Sequence, residues 1–359
     1  MPAPAPTVPQ AARLTESQIA QFKRTGYLVL PGVVDADLCR QARDQMWETI
    51  AESRPSMKRD DPATWVPFTD EENASYTREV TGGDPYFGGR GHRFYIRNGA
   101  EDLLLDIGAR VVWDVAEQLL GEGEVVYPAG LDATGHTTGP CYLTEGAVKG
   151  MESHLGDKTR EWTGPPTNRT GPLRLPTTGP HWVTGQGTRG MYCTLPNSPV
   201  STPPDWRGAH AGEGLYNRRQ LLQTAVYFDD VPPGAGGLML FPGSHHRIWD
   251  YWETTNHGAT AIANGEDAPR FVGYTDPPIG AIKDDTEPVM TAGPAGSVVL
   301  WHTIMLHLAG WNEHPDIIRQ ATLYGFHKKP ETWPDDRLAA GPKGSIWTDW
   351  SDEVKAVEV

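Results

Sequence analysis

Residues 221–246 read LLQTAVYFDDVPPGAGGLMLFPGSHH, two apolar runs joined by a segment rich in proline and glycine. The β-branched and aromatic residues of these runs favour strands, and the segment between them favours a turn. Similar short runs recur at 124–130, 296–302 and 319–326, next to glycine or proline residues. Short strands at such spacing predict a β-sandwich or jelly roll rather than alternating β-α-β units.

Helical patterns precede this β-rich part. The stretch TESQIAQFKRTG (15–26) predicts a helix that Thr15 or Ser17 caps, and a short strand, YLVL, follows it. A second helix is expected from the pattern of 35–50, and a third over about 100–120. The predicted fold class is therefore mainly β with flanking helices.

The pattern along the chain predicts one folded domain with an arm and a tail. Two long segments interrupt the β pattern, and such segments are often functional lids. The expected divisions are a disordered arm (1–14), a domain (15–330) with a helical part (15–120) and a jelly-roll core (about 124–330), insertions at 144–205 and 246–293, and a tail (331–359).

The composition narrows the classes of function. The 359 residues carry 31 basic and 46 acidic side chains, a net charge of −15, and such a surface repels a nucleic-acid polymer. The three cysteines are far apart, which favours neither a disulfide framework nor a thiolate zinc site. The start lacks a signal-peptide pattern, and no apolar run is long enough to span a bilayer, so a cytoplasmic location is expected.

Two histidines and one arginine are candidates for a metal-dependent site. His210 lies in GAHAGEG (208–214) before one predicted strand, and His307 closes another. The ends of two strands can meet at the rim of a barrel, so that both imidazoles can face one metal. Arg319 begins the next strand, where an arginine can pair with a carboxylate through two hydrogen bonds.

These motifs resemble the phytanoyl-CoA dioxygenase-like group of non-haem iron, 2-oxoglutarate-dependent oxygenases. The similar segments are LTESQIAQFKRTGYLVLPGVVDADLC (14–39), 221–246, and PAGSVVLWHTIMLHLAGWN (294–312) followed by Arg319. The resemblance covers most of the chain except the two insertions and the tail. It implies a double-stranded β-helix, a cupin-like jelly roll, and iron held by a His-x-Asp/Glu motif with a distal histidine.

Carried over to this chain, the resemblance implies that His210 and His307 bind iron and that Arg319 binds 2-oxoglutarate. The sequence departs from the family pattern at Gly212, which stands where the oxygenases have an acidic ligand. The resemblance is then to the halogenase variant of the family, in which alanine or glycine replaces the acid.

A missing carboxylate leaves a coordination position that a halide can occupy, so Gly212 marks the expected halide site. The implied cofactors are Fe(II), 2-oxoglutarate, O2 and chloride. They would generate an oxidant that takes a hydrogen atom from an unactivated C–H, after which the halide returns to the carbon radical. The protein would orient the substrate so that halide rather than hydroxyl meets the radical.

Three other interpretations remain. Glu213 could bind the iron and give an ordinary hydroxylase, although neighbouring residues of a strand point to opposite faces unless a bulge intervenes. The site could be catalytically dead and leave a metal-binding protein. The motif could also be SHLGD (153–157), with His154 as first ligand, although no strand pattern follows it.

Other histidines are expected to be structural. His245 and His246 belong to the PGSHH turn, and His302 is five residues before His307, an odd separation that places it on the opposite face of a strand. In the predicted strand after His210, either the set with Thr224 or the set with Tyr227 must line the barrel, and the sequence does not say which.

The expected substrate is a free small molecule, with no membrane and no carrier protein as partner. Arginines at Arg93, Arg97 and Arg218, with aromatics such as Trp182, would suit a phosphorylated, base-bearing molecule, although solvated loops and core packing explain each residue equally well. The similar halogenases include one that chlorinates a deoxyadenosine nucleotide in nucleoside-antibiotic pathways, so 2'-deoxyadenosine monophosphate is a candidate. An indole alkaloid or an amino acid remains an alternative.

Overall fold

A computed structural model of the chain provides the fold, and the residues it describes fall into several ranges. They are 13–53, 55–66, 69, 93–96, 107, 111–125, 191–194, 209, 211, 220–255, 277–329, 332 and 344–359.

The N-terminal elements follow the sequence pattern closely. Helix α1 (Glu16–Thr25) begins at a capping box, in which the side chain of Thr15 accepts the backbone N–H of Gln18, and Gln18 in turn accepts that of Thr15. Gly26 ends the helix with φ 85°, a left-handed conformation that costs glycine little. The choice of Thr15 over Ser17 as the cap is thereby settled.

Two further helices flank the β core at its N-terminal side. Helix α2 (Ala36–Ser53) starts where the side chain of Asp35 accepts the backbone N–H groups of the first turn. Helix α3 (Trp113–Leu120) follows a short π-helical turn at 111–112. Their apolar faces and that of α1 pack into one core with the large sheet, so the helices cover one side of it.

The large sheet has six antiparallel strands among the described residues. Strand β4 (Gln220–Tyr227) lies between β7 (Val298–His302) and β9 (Arg319–His327), with Ala225 opposite Val299 on one side and Leu323 on the other. In order across the sheet, the strands are β1 (Tyr27–Leu30), β7 (Val298–His302), β4 (Gln220–Tyr227), β9 (Arg319–His327), β3 (Met191–Thr194) and β2 (Arg93–Ile96).

A smaller antiparallel sheet faces the other side of the large one. It contains, in order, β6 (Val289–Met290), β5 (Leu238–Leu240) and β8 (His307–Ala309). Residues of both sheets, among them Leu240 and Ala225, share a second buried cluster. The chain passes from the large sheet to the small one and back twice between β4 and β9, as it does in a jelly roll. The prediction of a mainly β fold with flanking helices is confirmed for the described residues.

Several elements of the structure cross the expected boundaries along the chain. The expected arm 1–14 includes Leu14, which is buried and bonds through its backbone to Gln118 on α3. Segment 246–293 is not a structureless insertion, since it holds most of helix α4 (Ser244–Thr255), helix α5 (Pro277–Asp285) and strand β6. Strand β3 belongs to the large sheet although it lies within 144–205, and strand β2 lies within the part expected to be helical.

The end of the chain packs against the helical side of the β core. Trp347 and Trp350 lie with ring centroids 5.9 and 5.4 Å from Phe22 of α1. Lys23 is buried, and its ammonium group donates to the carbonyl groups of Val354 and Val357 around helix α6 (Asp352–Ala356). The polar tail therefore contributes a docked C-terminal segment, residues 344–359.

Three histidines lie under this docked segment. His245 and His246 both donate through Nε2 to the carbonyl of Lys23, at 3.0 and 2.9 Å, and His302 stacks 5.0 Å from Trp350. Burial, together with repulsion from His246, lowers the pKa of His245 to about 3, and burial lowers the pKa of His302 well below its usual value. These histidines are structural, as expected from the sequence.

No helix among the residues with described structure is long and apolar enough to cross a membrane.

The buried histidines predict a loss of stability in mild acid. Both have a folded pKa below the unfolded value, so the stability they contribute is complete above about pH 6.5 and is lost as the pH falls towards the folded pKa, which is about 3 for His245. Each should remove about 1.4 kcal/mol per pH unit within that window. Urea denaturation at pH 7.5, 6.5 and 5.5 measures this, and His245→Asn should reduce the slope. Equal unfolding free energies at pH 7.5 and 5.5 would contradict the neutral, buried state of the rings.

Candidate active site

Because strand residues alternate between two faces, the pairing of the strands shows which side chains point between the two sheets. On β9, Arg319, Ala321 and Leu323 share one face, and Ala321 is paired with Tyr227 of β4. The same face, here called the inner face, includes Trp301 of β7, which is paired with Gln223. Tyr227 and Ala225 therefore line the barrel, whereas Thr224 and Val226 face the helices, which answers the question that the sequence leaves open.

His307 stands at the start of β8 and is only 6% exposed. Its Nδ1 lies 2.8 Å from the carbonyl oxygen of Met305, which can only accept, so Nδ1 carries the proton. The lone pair of the neutral ring is then on Nε2, the form in which a histidine binds a metal. The ring lies 5.4 Å from that of Trp301 on the inner face.

Arg319 begins β9 and is 7% exposed. Its Nε donates to the carbonyl of Gly236 at 2.9 Å, which fixes the plane of the guanidinium group. Gly236 has φ 79°, a conformation that favours glycine, and this explains one glycine of the Gly236–Gly237 turn. A buried guanidinium with a fixed plane suits a ligand carboxylate that can accept two hydrogen bonds.

Tyr227 lies at the same end of the inner face as Arg319, since it is paired with Ala321. Its hydroxyl accepts the N–H of Leu238 at 2.8 Å and donates to Thr291 Oγ1 at 2.6 Å, and the hydroxyl of Thr291 donates to the carbonyl of Leu238. Burial raises the pKa of Tyr227, although the hydrogen bond with Thr291 and the charge of Arg319 oppose the shift, so the phenol stays protonated at neutral pH. Sequence reasoning missed both residues as members of the site.

Trp301 and Gln220 also lie on the inner face, and the sequence did not predict either of them as a site residue. The indole N–H of Trp301 and both ends of the Gln220 carboxamide are buried and have no hydrogen-bond partner among the described residues. A buried polar group in this state calls for a ligand or an ordered water. No sequence signal marks either residue, because lining a cavity depends on which strand lies next to which.

His210, the first predicted iron ligand, lies outside the described residues. Gly212 and Glu213, the alternative iron ligand, also lie outside them. Their neighbours Ala209 and Ala211 are described and buried. The alternative first ligand His154 and the expected substrate residues Arg97, Arg218 and Trp182 are also outside. The assignments of these residues therefore remain predictions.

Arg93 is described only by its backbone position. It is opposite Thr194 of β3, which is in turn opposite Arg319, so Arg93 belongs to the same row of the sheet as the predicted 2-oxoglutarate residue.

Aromatic residues of the segment 246–293 do not all belong to a lid. Trp249 and Trp252 are 2% and 1% exposed and pack in the hydrophobic core beside the helices, with the indole N–H of Trp249 donating to the carbonyl of Gly344. Of the two explanations open for aromatic residues, core packing holds for these two tryptophans.

Within the described ranges, no group of three or more histidine, cysteine, aspartate or glutamate side chains could hold a metal ion. Of the two predicted iron ligands, His307 is described and His210 is not. The tautomer of His307 suits an iron ligand, and the setting of Arg319 suits the far carboxylate of 2-oxoglutarate.

Comparison with known families adds one result. Residues 181–321 match the family phytanoyl-CoA dioxygenase (PhyH). The matched segment holds His210, His307 and Arg319, so the predicted resemblance is confirmed for this part of the chain. No curated protein matches the sequence.

Solved structures give weaker similarities. EctD from S. alaskensis with bound Fe is 14% identical with a TM-score of 0.45, over 88% of this chain and 76% of that chain. SnoK, a non-heme alpha ketoglutarate dependent carbocyclase from nogalamycin biosynthesis, is 13% identical with a TM-score of 0.41, over 88% and 84%. AviO1 from Streptomyces viridochromogenes Tue57 is 12% identical with a TM-score of 0.36, over 89% and 96%. At these values, the similarities carry no conclusion about chemistry.

The Tyr227 hydroxyl predicts a measurable effect on stability. Tyr227→Phe leaves the buried N–H of Leu238 without its acceptor, and we expect it to lower the unfolding free energy by about 1–3 kcal/mol in urea denaturation. Tyr27→Phe is the matched control, because the hydroxyl of Tyr27 makes no hydrogen bond among the described residues and that residue is only partly buried. Equal losses in the two variants would show that the hydrogen bonds of Tyr227 contribute nothing.

Proposed function

We propose that this protein is an Fe(II)/2-oxoglutarate-dependent halogenase that chlorinates an unactivated C–H of a free small molecule. The observation that carries the proposal is the sequence His210-Ala211-Gly212, in which a residue without a side chain takes the place of an acidic iron ligand. The PhyH match over 181–321 supports the coarser class of iron and 2-oxoglutarate chemistry.

Three described residues support the proposal. His307, held by Met305, would present Nε2 to iron, and Arg319, held by Gly236, would bind the far carboxylate of 2-oxoglutarate. The indole N–H of Trp301, beside the ring of His307, is a buried donor that suits an anion or a polar ligand group. When bound, iron, 2-oxoglutarate and oxygen supply the hydrogen-atom abstraction.

The inner face also suits the selectivity that halogenation requires. The carbon radical must meet halide before hydroxyl, so the substrate has to be held by the protein rather than left to rotate. Closely packed aromatic and polar side chains, such as Trp301 and Gln220, favour such orientation. Within this proposal the substrate is a nucleotide such as 2'-deoxyadenosine monophosphate, for which Arg93, Arg97, Arg218 and Trp182 stay candidate contacts.

Anaerobic reconstitution tests the proposal. The protein with Fe(II) and 2-oxoglutarate should show the metal-to-ligand absorption band of the bound 2-oxoacid, and the band should shift as chloride is added. A band that ignores chloride would favour the hydroxylase in which Glu213 binds iron, and the absence of a band would favour a metal-binding protein without activity. His307→Ala should abolish the band, whereas His314→Ala, a histidine bonded to Pro233 outside the site, should preserve it.

A second prediction concerns the position of the missing acid. Gly212→Asp should weaken the chloride response by about tenfold or more, since a carboxylate would compete for the halide position, and should turn the product towards hydroxylation. Gly212→Ala is the control, because it adds a methyl group but no ligand, and it should keep the response. Undiminished halogenation by Gly212→Asp, measured by mass spectrometry of the product, would show that residue 212 is not the ligand position.

A further inference from the structure

We propose that Gln220 determines substrate specificity, its carboxamide recognising a planar ligand edge with a hydrogen-bond donor beside an acceptor, such as the edge of an aminopurine base. The inference rests on the proposed function, since it assigns a substrate-reading residue to the same site.

The carboxamide of Gln220 lies on the inner face. Gly325 of β9 alternates with Leu323, Ala321 and Arg319, so a side chain at 325 would point between the two sheets. A Cβ built on Gly325 would stand 2.6 Å from the Cδ and Nε2 of Gln220 and 2.7 Å from its Oε1. The amide group therefore covers the space that a side chain at 325 would occupy.

Gln220 belongs to the end of the inner face that carries His307. Gly325 is paired with Gln223, and Gln223 is paired with Trp301, the residue whose ring contacts His307. Arg319 is six residues from Gly325 along the strand, about 20 Å at the usual rise of ~3.3 Å per residue. A ligand that contacts Gln220 would thus lie near His307 and away from the carboxylate-binding arginine.

The carboxamide is buried and makes no bond within the described part of the chain. Gln220 is 0% exposed, and neither Nε2 nor Oε1 has a hydrogen-bond partner there. Other buried polar groups in the same state, Thr224, Gln320 and Thr322, belong to the opposite face of the sheet by the strand alternation. On the inner face, the described groups left for a ligand are the amide of Gln220 and the indole N–H of Trp301.

The chemistry of a carboxamide defines the ligand edge. Its N–H donors and carbonyl acceptor are coplanar and adjacent, so they pair with a ligand that offers an acceptor next to a donor. Glutamine pairs in this way with the amino group and the adjacent ring nitrogen of adenine. A base that lacks the amino group keeps the acceptor nitrogen but leaves the carbonyl of the glutamine without a donor, and is disfavoured.

Equilibrium binding of two nucleotides tests the proposal. 2'-Deoxyadenosine monophosphate and the 5'-monophosphate of purine 2'-deoxyriboside differ only in the amino group of the base, which the second nucleotide lacks. Titration calorimetry of the full chain, loaded anaerobically with Fe(II) and 2-oxoglutarate, should show that the wild type prefers the adenine nucleotide by about tenfold or more. Binding of neither nucleotide, or equal binding of both, would overturn the proposal.

Two variants remove the contact in different ways. Gln220→Leu deletes both polar groups, and Gly325→Ala keeps the glutamine but displaces its amide with the new methyl group. Both should reduce the preference to within about twofold while the 2-oxoglutarate absorption band stays unchanged. Gln320→Leu is the matched control, a buried glutamine on the opposite face, and should keep the preference.

Melting temperatures separate ligand recognition from a structural role. The amide of Gln220 bonds nothing in the described chain, so Gln220→Leu should melt no lower than the wild type. A large loss of melting temperature in both variants, or an unchanged nucleotide preference in either folded variant, would overturn the assignment. A chloride-insensitive band with intact base preference would instead refute the halogenase and leave this inference standing.

Discussion

A cycle of three hydrogen bonds among Tyr227, Thr291 and Leu238 ties the two sheets together at one end of the barrel. Leu238 begins β5, whose Leu240 is paired with His307, and the turn before it supplies the carbonyl that holds Arg319. The position of β5 therefore sets both the predicted iron ligand and the predicted 2-oxoglutarate residue. In a buried setting each polar group of the cycle must be paired, which gives the arrangement little freedom.

The two faces of the large sheet contact different parts of the molecule, because strand residues point alternately to one face and the other. The outer face, with His302 and the apolar residues of β4, packs against the helices and the docked C-terminal segment. The inner face carries Arg319, Tyr227 and Trp301. His302 follows Trp301 on β7 and so points to the outer face, whereas His307 lies on β8 of the small sheet, which is why the two histidines have different surroundings.

Within the inner face, the two ends differ in how their polar groups are satisfied. At the Arg319 end, the hydroxyls of Tyr227 and Thr291 bond to the chain itself. At the His307 end, Gln220 and Trp301 have polar groups with no bond to described residues. The satisfied end is preorganised, and the other end has donors and an acceptor suited to ligand recognition.

The sequence by itself determined the helix α1, the strands β1, β4, β5, β7 and β9, and the candidate residues His210, His307 and Arg319, since local periodicity and motif spacing are present along the chain. It did not reveal that β2 and β3 join the large sheet, that 344–359 docks on α1, or that Gln220 and Trp301 line the inner face. Those features depend on which distant segments become neighbours. Contacts between residues far apart in sequence leave no local pattern, so only the tertiary structure decides them.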